Sequence, residues 1–324
     1  MNIKKTKILF AASEMTPLAK VGGLADVVGA LPKALRSKGV DCRVILPRYE
    51  QIKIEGLKTV KKDVAIRFGN IKEKINIYSS KIDGVPVYFI ENEKYLSWGL
   101  IYLDKSAFVK DLDEMKRFLF FSQAVIQALP DLKFNPDIIH CHDWHTSFIP
   151  GLLSACNIKN KPKTVLTIHN IANQGKWNAE EILSFLGLSG IEWPALTHHT
   201  PDGSLNLFEQ GVFQANKLTT VSPTYARELL TPEYGFGLEP IIEQRKNDLI
   251  GILNGIDTDR FNPETDSSTP FKFSLKRLSE REKNREALLK KTDLELAPHA
   301  PIFGFIGRLA VPDQKGVELM ASIA

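Results

Sequence analysis

Short runs of nearly pure apolar sequence, each followed by a turn and a helical period, constrain this chain more than any other feature. Ile8-Leu9-Phe10-Ala11-Ala12, Asp137-Ile138-Ile139-His140-Cys141 and Thr164-Val165-Leu166-Thr167-Ile168 have strand length and little polar alternation. That is the pattern of strands buried on both faces of a parallel sheet. Helical periods over 112–129, 146–156, 205–215 and 223–230, with further strands at 40–46, 218–221 and 249–253, continue the alternation. The chain is therefore expected to be α/β, with a doubly wound open sheet that carries its ligand at the carboxyl ends of the strands. The β-rich segments 64–68, 74–79 and 85–90, parted by turns such as Asp83-Gly84, read as a β-hairpin insertion. The stretch 91–110 has aromatics but no period and reads as a long loop.

The first strand-to-helix turn holds the most pointed chemistry. After Ile8 to Ala12 comes Glu14-Met15-Thr16-Pro17-Leu18-Ala19-Lys20-Val21-Gly22-Gly23-Leu24-Ala25-Asp26. Leu24, Val27, Val28, Leu31 and Leu35 form one apolar helical face, with Pro32 as an expected kink. Gly22 and Gly23 stand at the helix entrance, where unpaired N–H groups and the helix dipole favour an anion, and Lys20 adds a full charge. A phosphate or phosphosugar pocket fits this chemistry, and a plain tight βα turn fits it equally. The dinucleotide fingerprint Gly-x-Gly-x-x-Gly is absent.

Two later strand ends are also polar. His142, Asp143, Trp144 and His145 follow one strand; His169, Asn170, Asn173, Gln174 and Gly175 follow another. Their donors and acceptors suit sugar hydroxyls, and Trp144 offers an apolar surface for a pyranose face. Zinc is disfavoured, because no third and fourth ligand stands at a recognisable spacing. The structural alternative is that Asp143 caps the helix after it and His169 is a satisfied edge residue.

Composition removes other classes. A net charge of +4 on 324 residues is mild, and Lys4-Lys5 and Lys61-Lys62 read as solvated faces, so nucleic acid is not an expected partner. The first apolar run ends at Ser13-Glu14, too short for a signal-peptide core or a membrane span. Cys42, Cys141 and Cys156 lack any CxxC spacing, which points to reduced thiols and a cytoplasmic protein.

Taken jointly, Ser13-Glu14-Met15 with Lys20-Val21-Gly22-Gly23-Leu24-Ala25-Asp26, His142-Asp143-Trp144-His145, His169-Asn170-Ile171-Ala172-Asn173-Gln174-Gly175, Val221-Ser222-Pro223-Thr224-Tyr225-Ala226, Leu253-Asn254-Gly255-Ile256-Asp257, and Gly307-Arg308-Leu309 with Gln314-Lys315-Gly316 resemble the bacterial glycogen synthases and plant starch synthases. The motifs keep the family's order from residue 8 to the last residue. The resemblance implies a GT-B fold, two Rossmann-like domains, and retaining transfer of glucose from ADP-glucose to the non-reducing end of an α-1,4-glucan. It implies no metal or other cofactor. Lys20, Arg308 and Lys315 match positions that neutralise the departing diphosphate, an electrostatic task. His169 matches a position that assists charge development at the reacting centre. Gly22 and Gly23 match the backbone approach to the donor; Asp26, Asp143, Asn170 and Gln174 match positions near the transferred glucose. Glu14 matches an acidic residue near the acceptor, and Asn254 a substrate-binding position.

The sequence also departs from that pattern. Val21 replaces the family's usual threonine, the segment between Arg308 and Lys315 is two residues longer than expected, and Trp98-Gly99-Leu100-Ile101-Tyr102 and Asp113-Glu114-Met115 replace a Gly-Leu-Tyr-Gly and Asp-Asn pattern. The expected division is an acceptor-side Rossmann-like domain over 1–250, then a hinge and an incomplete nucleotide-sugar domain over 251–324. In the latter, a charged helix is expected over 276–291, a strand over 302–306 and a helix from 314. Two other readings stand beside transferase activity: a non-catalytic glucan-binding module, and a GT-B enzyme with another donor such as UDP-glucose, of sucrose-synthase or trehalose type.

Overall fold

A computed structural model of the chain describes residues 5–68, 71–102, 114–156, 158–187, 202–297, 300–306 and 316–322. The described residues fall into two compact units, Met1–Ile256 and Asp257–Ala324.

The larger unit opens with β1 (Lys7–Ala11), α1 (Gly23–Ser37) and β2 (Asp41–Pro47), then β3 (Lys58–Phe68), β4 (Ile71–Ile82) and β5 (Val85–Glu91). Helix α2 (Glu114–Ala128) and β6 (Ile138–His142) follow, then the short α3 (Asp143–Thr146) and α4 (Ile149–Ala155). Next come β7 (Lys163–Ile168), β8 (Lys176–Asn178), α5 (Ala179–Leu186), β9 (Ser204–Asn206) and α6 (Leu207–Gln214). The unit ends with β10 (Lys217–Thr220), α7 (Pro223–Glu228), α8 (Pro232–Gly235), α9 (Glu239–Gln244) and β11 (Leu249–Gly251).

Among the described residues nine strands form one sheet in the order β11-β10-β7-β6-β1-β2-β5-β4-β3. From β11 to β5 all neighbours are parallel; β4 and β3 are antiparallel. The apolar runs thus became the central strands. Alternate residues of β1 serve opposite cores: Leu9 and Ala11 pack with α2 and its neighbours, whereas Phe10 and Ala12 pack with Leu24 and Val28 of α1. The doubly wound α/β class expected from the sequence is the one found.

Several local expectations change. The expected hairpin is present as β3–β4, and it joins the main sheet, because β5 pairs parallel with β2 and carries the hairpin as the sheet's antiparallel edge. The helix expected over 146–156 is two helices, α3 and α4, with Pro150 in the first turn of the second, where its missing N–H costs nothing. The helix expected over 205–215 starts later, since Ser204–Asn206 pairs with Lys176–Asn178 and the Asn206 side chain caps α6. Helix α1 continues through Pro32, which is buried.

The smaller unit holds α10 (Arg281–Thr292), preceded by a 3-10 turn, and α11 (Val317–Ala321). The expected charged helix is therefore present. The expected strand over 302–306 is absent: those residues have no regular structure and no β partner among the described residues. A strand exists only through its ladder, and composition alone cannot supply one. None of this unit's described side chains is buried; Leu275, Phe303 and Ile306 are almost fully exposed.

Candidate functional site

Strand order reverses at β1: β2 lies on one side of it and β6, later in the chain, on the other. The carboxyl ends of β1 and β6 therefore flank the crevice where open α/β sheets hold ligands. Glu14 follows β1, His142 and Asp143 end β6 and start α3, and His169 and Asn170 follow β7. The sheet alone brings together polar residues from three distant parts of the chain.

Glu14 is buried, and its carboxylate is fully engaged. Oε2 accepts from the backbone N–H of Val21 (2.5 Å) and of Gly22 (2.8 Å), and Oε1 accepts from the Tyr102 hydroxyl at 2.5 Å. The Gly22 N–H, at the helix entrance expected to favour an anion, is thus held by the protein's own carboxylate, together with that of Val21. Burial and the neighbouring Glu14 charge push the Tyr102 hydroxyl pKa well above the ordinary phenol value, so Tyr102 stays a donor. Gly22 caps α1 without any side-chain bond, and a Cβ on Gly23 would meet nothing within 4 Å. The space beside Gly23 is open.

Lys20 reaches Asp26, with Nζ 2.7 and 2.8 Å from the two carboxylate oxygens, and Thr16 donates to the same carboxylate at 3.2 Å. The side chains of both ionic partners are about two-fifths exposed. Such a pair is worth roughly 0.2–1 kcal/mol, so an incoming phosphate can take the lysine from it at small cost.

Asp143 adopts a left-handed backbone, φ 52°, at the start of α3. Its carboxylate does not cap that helix: Oδ1 accepts from the N–H of His169 (2.7 Å) and of Asn170 (3.3 Å), tying the end of β6 to the end of β7. Burial raises its pKa to about 7 against the opposing pull of those two N–H groups. The His169 ring meets His142, with Nε2 3.0 Å from His142 Nδ1. Burial holds the His169 pKa down to about 4, which leaves a neutral imidazole at physiological pH.

Asn170 folds back on its own loop, Oδ1 accepting from Ala172 N–H at 2.9 Å. Gln174 donates to the Phe236 carbonyl and accepts from Asn206, bracing the loop against α6. Trp144 is a correction: it is buried rather than offered to a sugar face. Its ring lies edge-on to Phe118 and close to Gly175, where an added Cβ would come within 2.3 Å of it. Gly175 has φ 62°, so both backbone and space require glycine there. Asn254 lies exposed after β11. Arg308 and Lys315 lie outside the described residues.

Sequence reasoning missed Tyr102 as the partner of Glu14, His142 as the partner of His169, and Thr16 on Asp26. The first two contacts span 88 and 27 residues, beyond the reach of any local period. Among the described residues no cluster of three or more His, Cys, Asp or Glu is placed to hold a metal ion, no helix is long and apolar enough to cross a membrane, and the three cysteines are free.

A parallel sheet doubly wound by helices, with polar residues gathered at its switch point, defines a Rossmann-like ligand-binding protein. More narrowly, the chain belongs to the starch synthase catalytic domain family, whose model matches residues 7–244. It is 40% identical to the glycogen synthase of Desulforamulus reducens and 39% identical to that of Geotalea daltonii, in each case over 98% of this chain. It spans 65% and 66% of those proteins' lengths. Its fold matches the catalytic domain of starch synthase IV from Arabidopsis thaliana, bound to ADP and acarbose, with a TM-score of 0.87 and 36% identity over 98% of this chain and 65% of that one.

Proposed function

We propose that this chain is the greater part of an ADP-glucose-dependent glycogen synthase, which transfers glucose to the non-reducing end of an α-1,4-glucan with retention. The observation that carries the reading is the gathering of the family's motif residues at one switch point. Glu14 with Gly22, the pair Lys20–Asp26, and Asp143 with His169 all stand at the carboxyl ends of neighbouring strands. The family membership and the ADP and acarbose bound by the Arabidopsis relative support nucleotide and glucan as the two ligand classes.

In this reading Lys20 leaves Asp26 for the diphosphate of the donor and neutralises it as the glycosyl bond loosens, with Arg308 and Lys315 as further cations. Gly22 and Gly23 admit the donor close to the backbone. Asp143, Asn170 and Gln174 set the strand-end loop that receives the glucose, and His169 supplies a neutral hydrogen-bonding ring at the reacting centre. Glu14 shapes the acceptor side, and Asn254 contributes a further substrate contact. Residues 1–250 form the acceptor-side domain and 251–324 the hinge and part of the nucleotide-sugar domain. The protein works in the cytoplasm.

The test is incorporation of labelled glucose from ADP-glucose into glycogen by the 324-residue chain, with glycogen binding measured on the same sample and UDP-glucose as competitor. Incorporation that UDP-glucose does not suppress supports the proposal. Binding without incorporation favours a glucan-binding module instead. Neither binding nor incorporation sinks both.

A further inference from the structure

His142 is wholly buried at the end of β6, and its backbone is pinned, the N–H donating to Thr146 Oγ1 at 2.7 Å. Its ring stacks on His140 and on Phe10, with centroids 4.3 and 5.7 Å away. Nδ1 lies 3.0 Å from His169 Nε2, whereas its own Nε2 is buried with no hydrogen-bond partner among the described residues. Burial keeps both rings neutral, so each carries one proton and the bond between them holds one.

Two arrangements satisfy that bond. With the proton on His169 Nε2, His142 must carry its own proton on Nε2, a donor sealed in the interior with nothing to receive it. With the proton on His142 Nδ1, the buried Nε2 is only a bare acceptor, and His169 must carry its proton on Nδ1. Orphaned buried N–H groups are rarer than under-used acceptors, so the second arrangement prevails. It is opposite to the preference of a solvent-exposed histidine side chain, which in water favours the proton on Nε2.

Resting on the reading of the site given above, we propose that His142 is a positioning residue that holds His169 in the Nδ1–H form, so that His169 meets a sugar oxygen as a hydrogen-bond donor. Among the described residues His169 Nδ1 has no protein partner, so it is the nitrogen left for a ligand. A bare Nδ1 would repel the lone pairs of a glycosidic or hydroxyl oxygen; the protonated one attracts them and strengthens as negative charge grows there.

The experiment is long-range proton–nitrogen correlation on the 324-residue chain labelled with nitrogen-15 histidine, at neutral pH and without substrate. His142→Asn, His142→Phe and His169→Gln assign the resonances. The expected spectrum has His169 protonated on Nδ1 and bare on Nε2. His142→Asn, whose amide N–H replaces the Nδ1 donor, keeps that form; His142→Phe, which has no donor, returns His169 to Nε2–H. A wild-type His169 protonated on Nε2, or one unchanged by His142→Phe, overturns the proposal. If the phenylalanine variant does not fold, the wild-type and asparagine spectra decide. In turnover, His142→Phe is expected to lose about tenfold in kcat, the worth of one hydrogen bond, with little change in KM, and His142→Asn to recover it. The expected tautomer in a chain that transfers no glucose supports the positioning role and counts only against the transferase reading.

Discussion

Lys20 and Glu14 flank one turn, yet they are bound in opposite ways. The lysine's ion pair with Asp26 is half in water and cheap to open; the Glu14 carboxylate is buried under three short hydrogen bonds. The proposed function therefore assigns the movable charge to Lys20 and the fixed scaffold to Glu14. Replacing Lys20 with Ala should lower glucosyl turnover by about a hundredfold, ~3 kcal/mol of lost charge stabilisation; unchanged turnover would remove it from the donor site. At this scale the sequence indicated which residues stand near one another at the strand ends, but not their partnerships. Asp143, His169 and Gly22 were legible because motifs list residue types in order. That Asp143 would serve the β7 loop rather than its own helix depends on a left-handed backbone that no spacing announces.

Strand and helix positions were legible wherever burial on both faces forces an apolar run, as at β1, β6 and β7. They were not legible where pairing decides, as in the way the β3–β4 hairpin joins the sheet, the β8–β9 ladder and the vanished strand over 302–306. The loop before α2 shows what periodicity overlooks. Arg117, inside the apolar α2, is fully buried and donates to the carbonyls of Tyr95, Trp98, Leu100 and Ile101, with its guanidinium over the Trp98 ring. One side chain thus replaces the ladder that this segment lacks, and it sets Tyr102 beside Glu14. Arg117→Met should cost about 2–4 kcal/mol in urea unfolding, because several buried carbonyls lose their donor. An intact unfolding midpoint would show that the loop holds itself.

Across the whole molecule four histidines with depressed pKa values shape the response to acid. Burial depresses the pKa values of His140 and His145 to about 3 and of His169 to about 4, and holds His142 well below 6.5. Each favours the folded state fully above pH 6.5, and that contribution is lost as pH falls toward 4, where the unfolded chain binds the protons first. Asp143 acts the other way: with its pKa raised to about 7, it weakens the fold as pH rises from 4 to 7. Each shifted unit is worth about 1.4 kcal/mol at most, and four rings outweigh one carboxyl. The urea midpoint should therefore fall between pH 7 and 5, and more steeply in Asp143→Asn; a flat profile would show that the rings are hydrated. The stretch after Ile256 has helices but no buried apolar side chain among its described residues. Cooperative melting needs such a centre, so a scanning calorimeter should record the larger unit alone, and the heat absorbed per gram should come out low for a chain of this mass.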